Sequence, residues 1–207
     1  GPDQNLVLLD GAPLYNTSHL FGFFSTFNPD AINNVKLIKG GFPARYGGRL
    51  SSVLDISMKE GNLKKWQSEG SIGLISSRLT VQGPIIKDKM SLIVSGRRNY
   101  YDILAAPFIS AASGGNSTAA FYFYDLNAKL NYKISERDRV YFSVYNGKDK
   151  FGAKYKDSYD NNDLTTQAGI WWGSLTSTLR WNRIVNDKLF MNACLISSKF
   201  KFDIGAK

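Results

Sequence analysis

The stretch FYFYDLNAKLNYKI, residues 121–134, decides the fold. Its even positions are Tyr122, Tyr124, Leu126, Ala128, Leu130, Tyr132 and Ile134. Its odd positions from Asp125 onward are Asp125, Asn127, Lys129, Asn131 and Lys133. One face is apolar or aromatic throughout and the other is polar over most of its length, the period-two signature of a β-strand. Tyrosines stand at both ends of the apolar face, with aliphatic residues between them. A bilayer favours that order, because the ring packs at headgroup level while the hydroxyl stays hydrated. Tyr122, Tyr124, Leu126, Leu130 and Tyr132 are therefore the expected lipid-facing set, and Lys129 and Lys133 turn toward a wet interior. A strand of a soluble β-sandwich is the competing reading, and this strand alone leaves the two level.

Neighbouring segments tilt the balance. Met90, Leu92 and Val94 alternate with Ser91, Ser95 and Arg97. Val140, Phe142 and Val144 alternate with Arg139, Ser143 and Gly147, although Tyr141 and Tyr145 make the second face less polar. Trp171, Leu175, Leu179 and Trp181 alternate with Ser174, Thr176, Thr178, Arg180 and Asn182, and residues 189–202 form a further strand of blurred phase. Ile72 and Leu74 lie in one phase and Leu79 and Val81 in the other, so residues 66–83 read as a small hairpin, with one strand carrying a bulge as the other reading. The connectors come in two sizes. Residues 85–89, 135–138 and 185–187 are short polar turns, whereas 102–120 and 152–169 read as long external loops. Short and long alternate, so the short ones share one end, which is how outer-membrane barrels sort their turns and loops.

Composition agrees with a mostly β chain. Hydrophobic residues are 43% and aromatic residues 14% of the sequence. The single cysteine, Cys194, and single histidine, His19, exclude an internal disulfide, Cys-based zinc sites and His-cluster metal sites. The formal net charge of +9 is spread along the chain and forms no stripe, which argues against nucleic acid as a partner. No apolar run reaches the ~18 residues of a membrane helix, but barrel strands need only ~9–11 alternating residues. The opening Gly1-Pro2-Asp3-Gln4-Asn5 runs straight into an apolar segment, so the chain is expected to be a piece of something longer.

Before Asn62 the texture changes to short apolar runs between Gly, Pro, Asn and Ser. Leu6–Leu9, Val35–Ile38 and Val53–Ile56 read as short strands, and Asn28-Pro29-Asp30 reads as a cap opening one helical turn. Three elements here carry a resemblance: Leu6-Val7-Leu8-Leu9-Asp10-Gly11-Ala12-Pro13-Leu14-Tyr15-Asn16, then Phe27-Asn28-Pro29-Asp30-Ala31-Ile32 through Gly40-Gly41, then Pro43-Ala44-Arg45-Tyr46-Gly47 through Ser52-Val53-Leu54-Asp55-Ile56. In order and spacing they resemble the second half of the plug domain of TonB-dependent outer-membrane receptors.

The resemblance implies a mainly β fold. Residues 1–62 would be the C-terminal part of a small mixed α/β plug. Residues 63–207 would be the first six or seven strands of a large antiparallel transmembrane β-barrel, which has about 22 strands when complete. It also implies TonB-dependent active import of a ligand across the bacterial outer membrane, with the plug gating the lumen. The implied partners are a TonB-type energy-coupling protein, outer-membrane lipid and the imported ligand, with no cofactor. Starch-utilisation glycan importers carry an Ala-Thr-Ala-rich stretch where this chain has Lys39-Gly40-Gly41-Phe42-Pro43-Ala44-Arg45. The sequence looks like the other receptor group common in Bacteroidota, which leaves a surface lipoprotein partner open. The alternative is a transport-inactive barrel serving as adhesin or as scaffold subunit of an outer-membrane complex.

Within this frame the loop of Tyr15, Asn16, His19, Phe21, Phe23 and Phe24 is the candidate substrate-contacting element, with plug core as its other reading. Arg45 and Arg49 are candidates for a lock between plug and barrel, against plain solvated arginine. Gly40, Gly41, Gly47 and Gly48 are expected in turns that need positive φ or close backbone approach. Asp149, Asp157, Asp160 and Asp163 dot one long loop without calcium-ligand spacing and read as solvated. No nucleophile elbow or identifiable carboxylate pair is present, so no catalytic residue is assigned and the chain reads as a non-enzyme.

Overall fold

The computed structural model describes residues 4–19, 22–41, 43, 45–47, 51–159 and 162–206. The first part is a four-stranded sheet in the order β2-β1-β6-β5. Its strands are β1 (Asn5–Leu9), β2 (Ala12–Pro13), β5 (Ile32–Lys39) and β6 (Ser52–Met58). β1 runs parallel to β6, and the other pairings are antiparallel. The β1–β2 turn places Asp10 at φ 48° and Gly11 at φ 87°, the left-handed region that Asp tolerates and Gly enters freely. A two-stranded hairpin, β3 (Ser18–His19) with β4 (Phe24–Ser25), follows. A 3₁₀ turn, Pro29–Ala31, opens β5, and the Asn28 side chain accepts from the Asp30 amide as the cap its sequence advertises. Leu9, Leu14, Ile56 and Met58 form a small core that Tyr145 of the second sheet completes.

That second sheet is an antiparallel meander of seven strands among the described residues. They are β7 (Gln67–Ile72), β8 (Ser76–Ile86), β9 (Met90–Asn99), β10 (Ser117–Lys133), β11 (Asp138–Tyr159), β12 (Asn162–Asn186) and β13 (Leu189–Ala206). β7 and β8 are the small hairpin that the phase slip indicates. Every strand is a neighbour of the next, so alternation on one strand continues in register across the sheet. One such row runs Ser95, Asn127, Tyr145, Thr176 and Ser198, and the next runs Val94, Ala128, Val144, Ser177 and Ser197.

The buried face of this sheet is the polar one. Ser91, Ser95, Asn127, Lys129, Asn131, Ser143, Thr176 and Thr178 are all buried, against the first sheet and its hairpin. Leu79, Val81, Leu126, Phe142, Leu175 and Leu179 are exposed on the other side. A soluble sandwich would bury the second set and expose the first. Tyr122 to Tyr132 is about 33 Å of strand at ~3.3 Å per residue. Tilted by about 40°, it covers about 25 Å of barrel height, the thickness of an outer-membrane apolar band.

The two long loops are corrected by the structure. Residues 101–112 form a helix, α1 (Tyr101–Ala112), and β10 already begins at Ser117. Residues 152–169 are the paired upper ends of β11 and β12, whose register continues to Tyr159 opposite Asn162. Lys154 and Lys156 alternate there with Ala153 and Tyr155. With polar residues and glycines interspersed on both faces, strand above the apolar band lacks the apolar stripe by which the lower part announces itself.

Candidate plug–wall latch

The hairpin β3–β4 carries His19 to the inner face of the wall, where the ring is 1% exposed. His19 Nε2 lies 2.6 Å from Asp125 Oδ1 of β10, and Nδ1 lies 2.7 Å from Asp149 Oδ2 of β11. Carboxylates only accept, so both nitrogens must donate and the ring is held as imidazolium. Burial pushes the His19 pKa down, but the two carboxylates outweigh it, and the pKa stands above the usual 6.5. Phe123 stacks on the imidazole at 4.2 Å and 5°, and Phe24 packs on Phe123 at 5.6 Å.

Asp125 is the hub of this cluster. It also accepts from Tyr145 Oη at 2.9 Å and from Arg97 Nε at 2.8 Å, while Arg97 Nη2 donates to the Ser25 carbonyl at 2.6 Å. The strand register explains the grouping, because Asp125 lies opposite Arg97 on one side and Gly147 on the other. A Cβ on Gly147 would lie 2.1 Å from Tyr145 Oη and 3.2 Å from Asp125 Oδ1. Glycine there leaves the space through which the phenol reaches the carboxylate. Among the described residues, the cations His19 and Arg97 meet the carboxylates Asp125 and Asp149 here, the kind of pairing that buried charges need.

A second attachment uses the Asp10–Gly11 turn. Lys129 Nζ of β10 donates to Asp10 Oδ1 at 3.0 Å and to the Met58 carbonyl at 3.1 Å. Asp10 Oδ1 also accepts from the Met58 amide at 3.1 Å. Arg180 of β12 donates to the Asp10 carbonyl at 3.0 Å, and Ser198 of β13 donates to that of Pro13 at 2.6 Å. Around the 3₁₀ turn, Asn28 donates to Ser95 Oγ at 2.6 Å and Arg78 pairs with Asp30 at 3.1 Å.

The candidate aromatic loop is divided by the structure. His19 is in the latch and Phe24 packs beneath it, whereas Tyr15 and Phe23 are exposed. Asn16, with Ser18, borders a cavity of about 240 Å³ walled by Trp172, Phe200 and Phe202. Phe21 lies outside the described residues. Among the described residues Arg45 makes its contacts within the plug, not with the wall. Its guanidinium sits 4.5 Å over the Tyr46 ring, and Tyr46 in turn donates to Asp55 at 2.9 Å, so this exposed arginine braces the plug internally. Arg49 lies outside the described residues. Gly40 and Gly41 take positive φ, 63° and 53°, as their turn needs. Gly47 has neither a positive φ nor a close neighbour, and Gly48 lies outside the described residues.

Asp149 is likewise corrected: it is a buried strand residue bonded to His19, not part of a solvated loop. Asp157 and Asp163 fall on the β11 and β12 backbones, and Asp160 lies outside the described residues. Tyr122, Tyr124, Leu126, Leu130 and Tyr132 all lie on the sheet face turned away from the plug. The residues that sequence reasoning passed over are Asp10, Arg97, Asp125, Tyr145 and Arg180. Asp125 shares its parity with Lys129, so a charged residue among inward positions was the available signal.

Residues 1–52 match the TonB-dependent receptor plug domain. These residues are TonB-dependent receptor plug. No curated protein matches the chain. Among solved structures, the siderophore receptor PirA from Acinetobacter baumannii aligns over 97% of this chain, at 17% identity and TM-score 0.50. The siderophore receptor PirA from Pseudomonas aeruginosa aligns over 100% of it, at 13% identity and TM-score 0.48. In both cases the chain spans 41% of the receptor's length. The first likeness shows the shared fold, a plug sheet lying against the inner face of an antiparallel barrel wall. The receptor segment described here is therefore plug followed by part of that wall.

Proposed function

We propose that the full-length receptor imports a ligand across the bacterial outer membrane, with the plug gating the lumen and a TonB-type protein supplying the energy. The observation that carries the reading is the inverted wall, with its polar face buried on plug elements and its apolar face exposed between two levels of Tyr and Trp. The division falls at residue 62, with plug before it and barrel after it. The latch around His19 and the Asp10 turn holds the gate shut, and Asn16 with Trp172, Phe200 and Phe202 forms part of the ligand-contacting wall. The work is binding and passage, not catalysis.

The test is a cross-link in the full-length receptor. Asn28→Cys with Ser95→Cys, in a Cys194→Ser background, joins side chains that already touch across the plug–wall boundary. Uptake of radiolabelled ferric siderophores, used as the first trial cargo, should stop on oxidation and return with reductant. Wild-type uptake through the oxidised, cross-linked receptor would overturn gating by the plug.

A further inference from the structure

The inner face of the wall changes chemistry at the level of the plug hairpin. Below it, where plug elements cover the wall, the face is rich in serine, threonine and asparagine. At hairpin level the register lines up Phe123, Asp149, Trp172 and Phe202. The next row up is apolar on all four strands: Phe121, Phe151, Ile170 and Ile204. The row above that is Ala119, Ala153, Ala168 and Ala206. These rows share the parity of Asp125 and look into the lumen. Phe123 stacks on His19, and Trp172 and Phe202 border the same cavity as Asn16 and Ser18 of the plug. Phe151, Phe202 and Ile204 are exposed at 39%, 55% and 69%. A barrel lumen that meets only water is polar, so an exposed apolar row spanning four strands marks contact with something else.

Charge is sorted the other way. Lys148, Lys150, Lys154, Lys156, Lys199 and Lys201 all stand at outward positions. Among the described residues, no lysine or arginine takes an inward position of β8–β13 above the level of Arg97. Arg97 itself already holds Asp125 and the Ser25 carbonyl, and Arg78 beside it holds Asp30. An anion laid on this wall would lose water and gain no counter-charge from it. An uncharged ring gains dispersion contact and burial instead. The alanines keep the surface flat, since only methyl groups project from them. The three rows cover about 14 Å across the strands and about 13 Å in height, room for a ring system lying flat.

We propose that the cargo is an uncharged molecule that lays a flat apolar or aromatic face on this wall. Asn16 and Ser18, across the cavity of about 240 Å³, supply neutral hydrogen bonds to its polar edge. The inference rests on the import reading and adds to it the chemical class of what is carried.

The test compares two probes that share a ring system and differ in charge, tritiated 2-naphthamide and tritiated 2-naphthoate. Each is dialysed to equilibrium against the full-length receptor in nanodiscs, with empty nanodiscs subtracted. Naphthamide should bind saturably, and naphthoate at least roughly ten-fold more weakly, because its charge is desolvated without a partner. Phe151→Ser and Phe202→Ser should each weaken naphthamide roughly ten-fold, the loss of one aromatic contact. Phe202→Lys should reverse the preference, because it supplies the counter-charge that the wall lacks. Phe190→Ser removes a similarly exposed aromatic from the inner face at the other end of β13 and should change neither probe. Gel mobility with and without heating checks that each variant is folded. Equal binding of the two probes, or a wild-type preference for naphthoate, would overturn the cargo class. So would an equal loss in Phe190→Ser. Absence of saturable binding to the folded wild type would overturn it too, the wall then being covered by other parts of the receptor. If the cross-link between positions 28 and 95 stops uptake while naphthamide fails to bind, only the cargo class falls. If uptake continues through the cross-link, gating falls whatever the probes do.

Discussion

The plug meets the wall through two attachments that differ in kind. At the Asp10–Gly11 turn the charges are permanent: Lys129 on Asp10, with Arg180 and Ser198 on backbone carbonyls. At the β3–β4 hairpin the central cation is a histidine, whose charge depends on one proton. The first lies beside the plug sheet and shares its amide and carbonyl groups through Met58. The second grips only a hairpin of two-residue strands. The turn is thus bound into the cooperative sheet, whereas the hairpin has little local structure to hold it once its charges are disturbed. The hairpin is the part that can let go first.

The largest effect should follow loss of the hub of the titratable attachment. Asp125→Ala removes a partner from His19, Arg97 and Tyr145 at once, leaving His19 only Asp149 and Arg97 the Ser25 carbonyl among these contacts, and removing one partner of a buried ion pair costs about 3–5 kcal/mol. Protease cleavage of the plug in the full-length receptor should become faster, starting within residues 18–25. Lys129→Met strands Asp10, which keeps its Met58 amide, so its cost should fall at the lower end of that range, about 3 kcal/mol. Adding Asp10→Asn should recover part of it, because the uncompensated charge is then gone. A double variant no better than Lys129→Met would mean that the lysine matters through its packing alone.

A finer probe changes space without removing charge. Gly147→Ala drives a methyl group into the Tyr145 hydroxyl and should cost about 1–3 kcal/mol as overpacking. Tyr145 also completes the plug core with Leu9, Leu14, Ile56 and Met58. The substitution should therefore lower the melting temperature of the receptor and shorten the plug's resistance to protease together. A fall in one without the other would separate the phenol's hydrogen bond from its packing.

Much of this architecture was legible in the residues. Phe121–Ile134 announced its two faces by strict alternation, and the phase slip between Leu74 and Leu79 marked a hairpin that the structure contains. Asn28-Pro29-Asp30 announced its cap. The upper ends of β11 and β12 were not legible, because alternation is informative only where one face meets lipid and the other meets protein or water. Above the apolar band Lys150, Lys154 and Lys156 stand where Phe142 and Val144 stand below, on the same side of the same strand. Helix α1 was hidden by its Pro107 and by a run of small and apolar residues without a polar stripe. The latch was half legible. His19 stood out as the single histidine, but its partners lie 106 and 130 residues away, and only the pairing of β10 with β11 puts Asp125 and Asp149 on either side of one ring.

The smallest effect, and the one that separates the two attachments most directly, is in pH. Among the described residues the groups facing His19 are Asp125 and Asp149, with Arg97 and Tyr145 bonded to the first of these. Its pKa in the folded receptor is raised above 6.5, burial opposing and the two carboxylates prevailing. A raised value means that the folded state holds the proton more tightly than the unfolded chain does. The stability it contributes is complete below the unfolded value of about 6.5 and is lost as pH rises through the folded value. Plug resistance to protease should therefore fall in the wild type as pH rises above about 6.5 and through the raised folded value. His19→Gln should start from lower resistance and lose this slope, whereas Lys129→Met should lose resistance and keep it. If His19→Gln retained it, the proton would be titrating elsewhere, and both attachments would have to be counted as permanent.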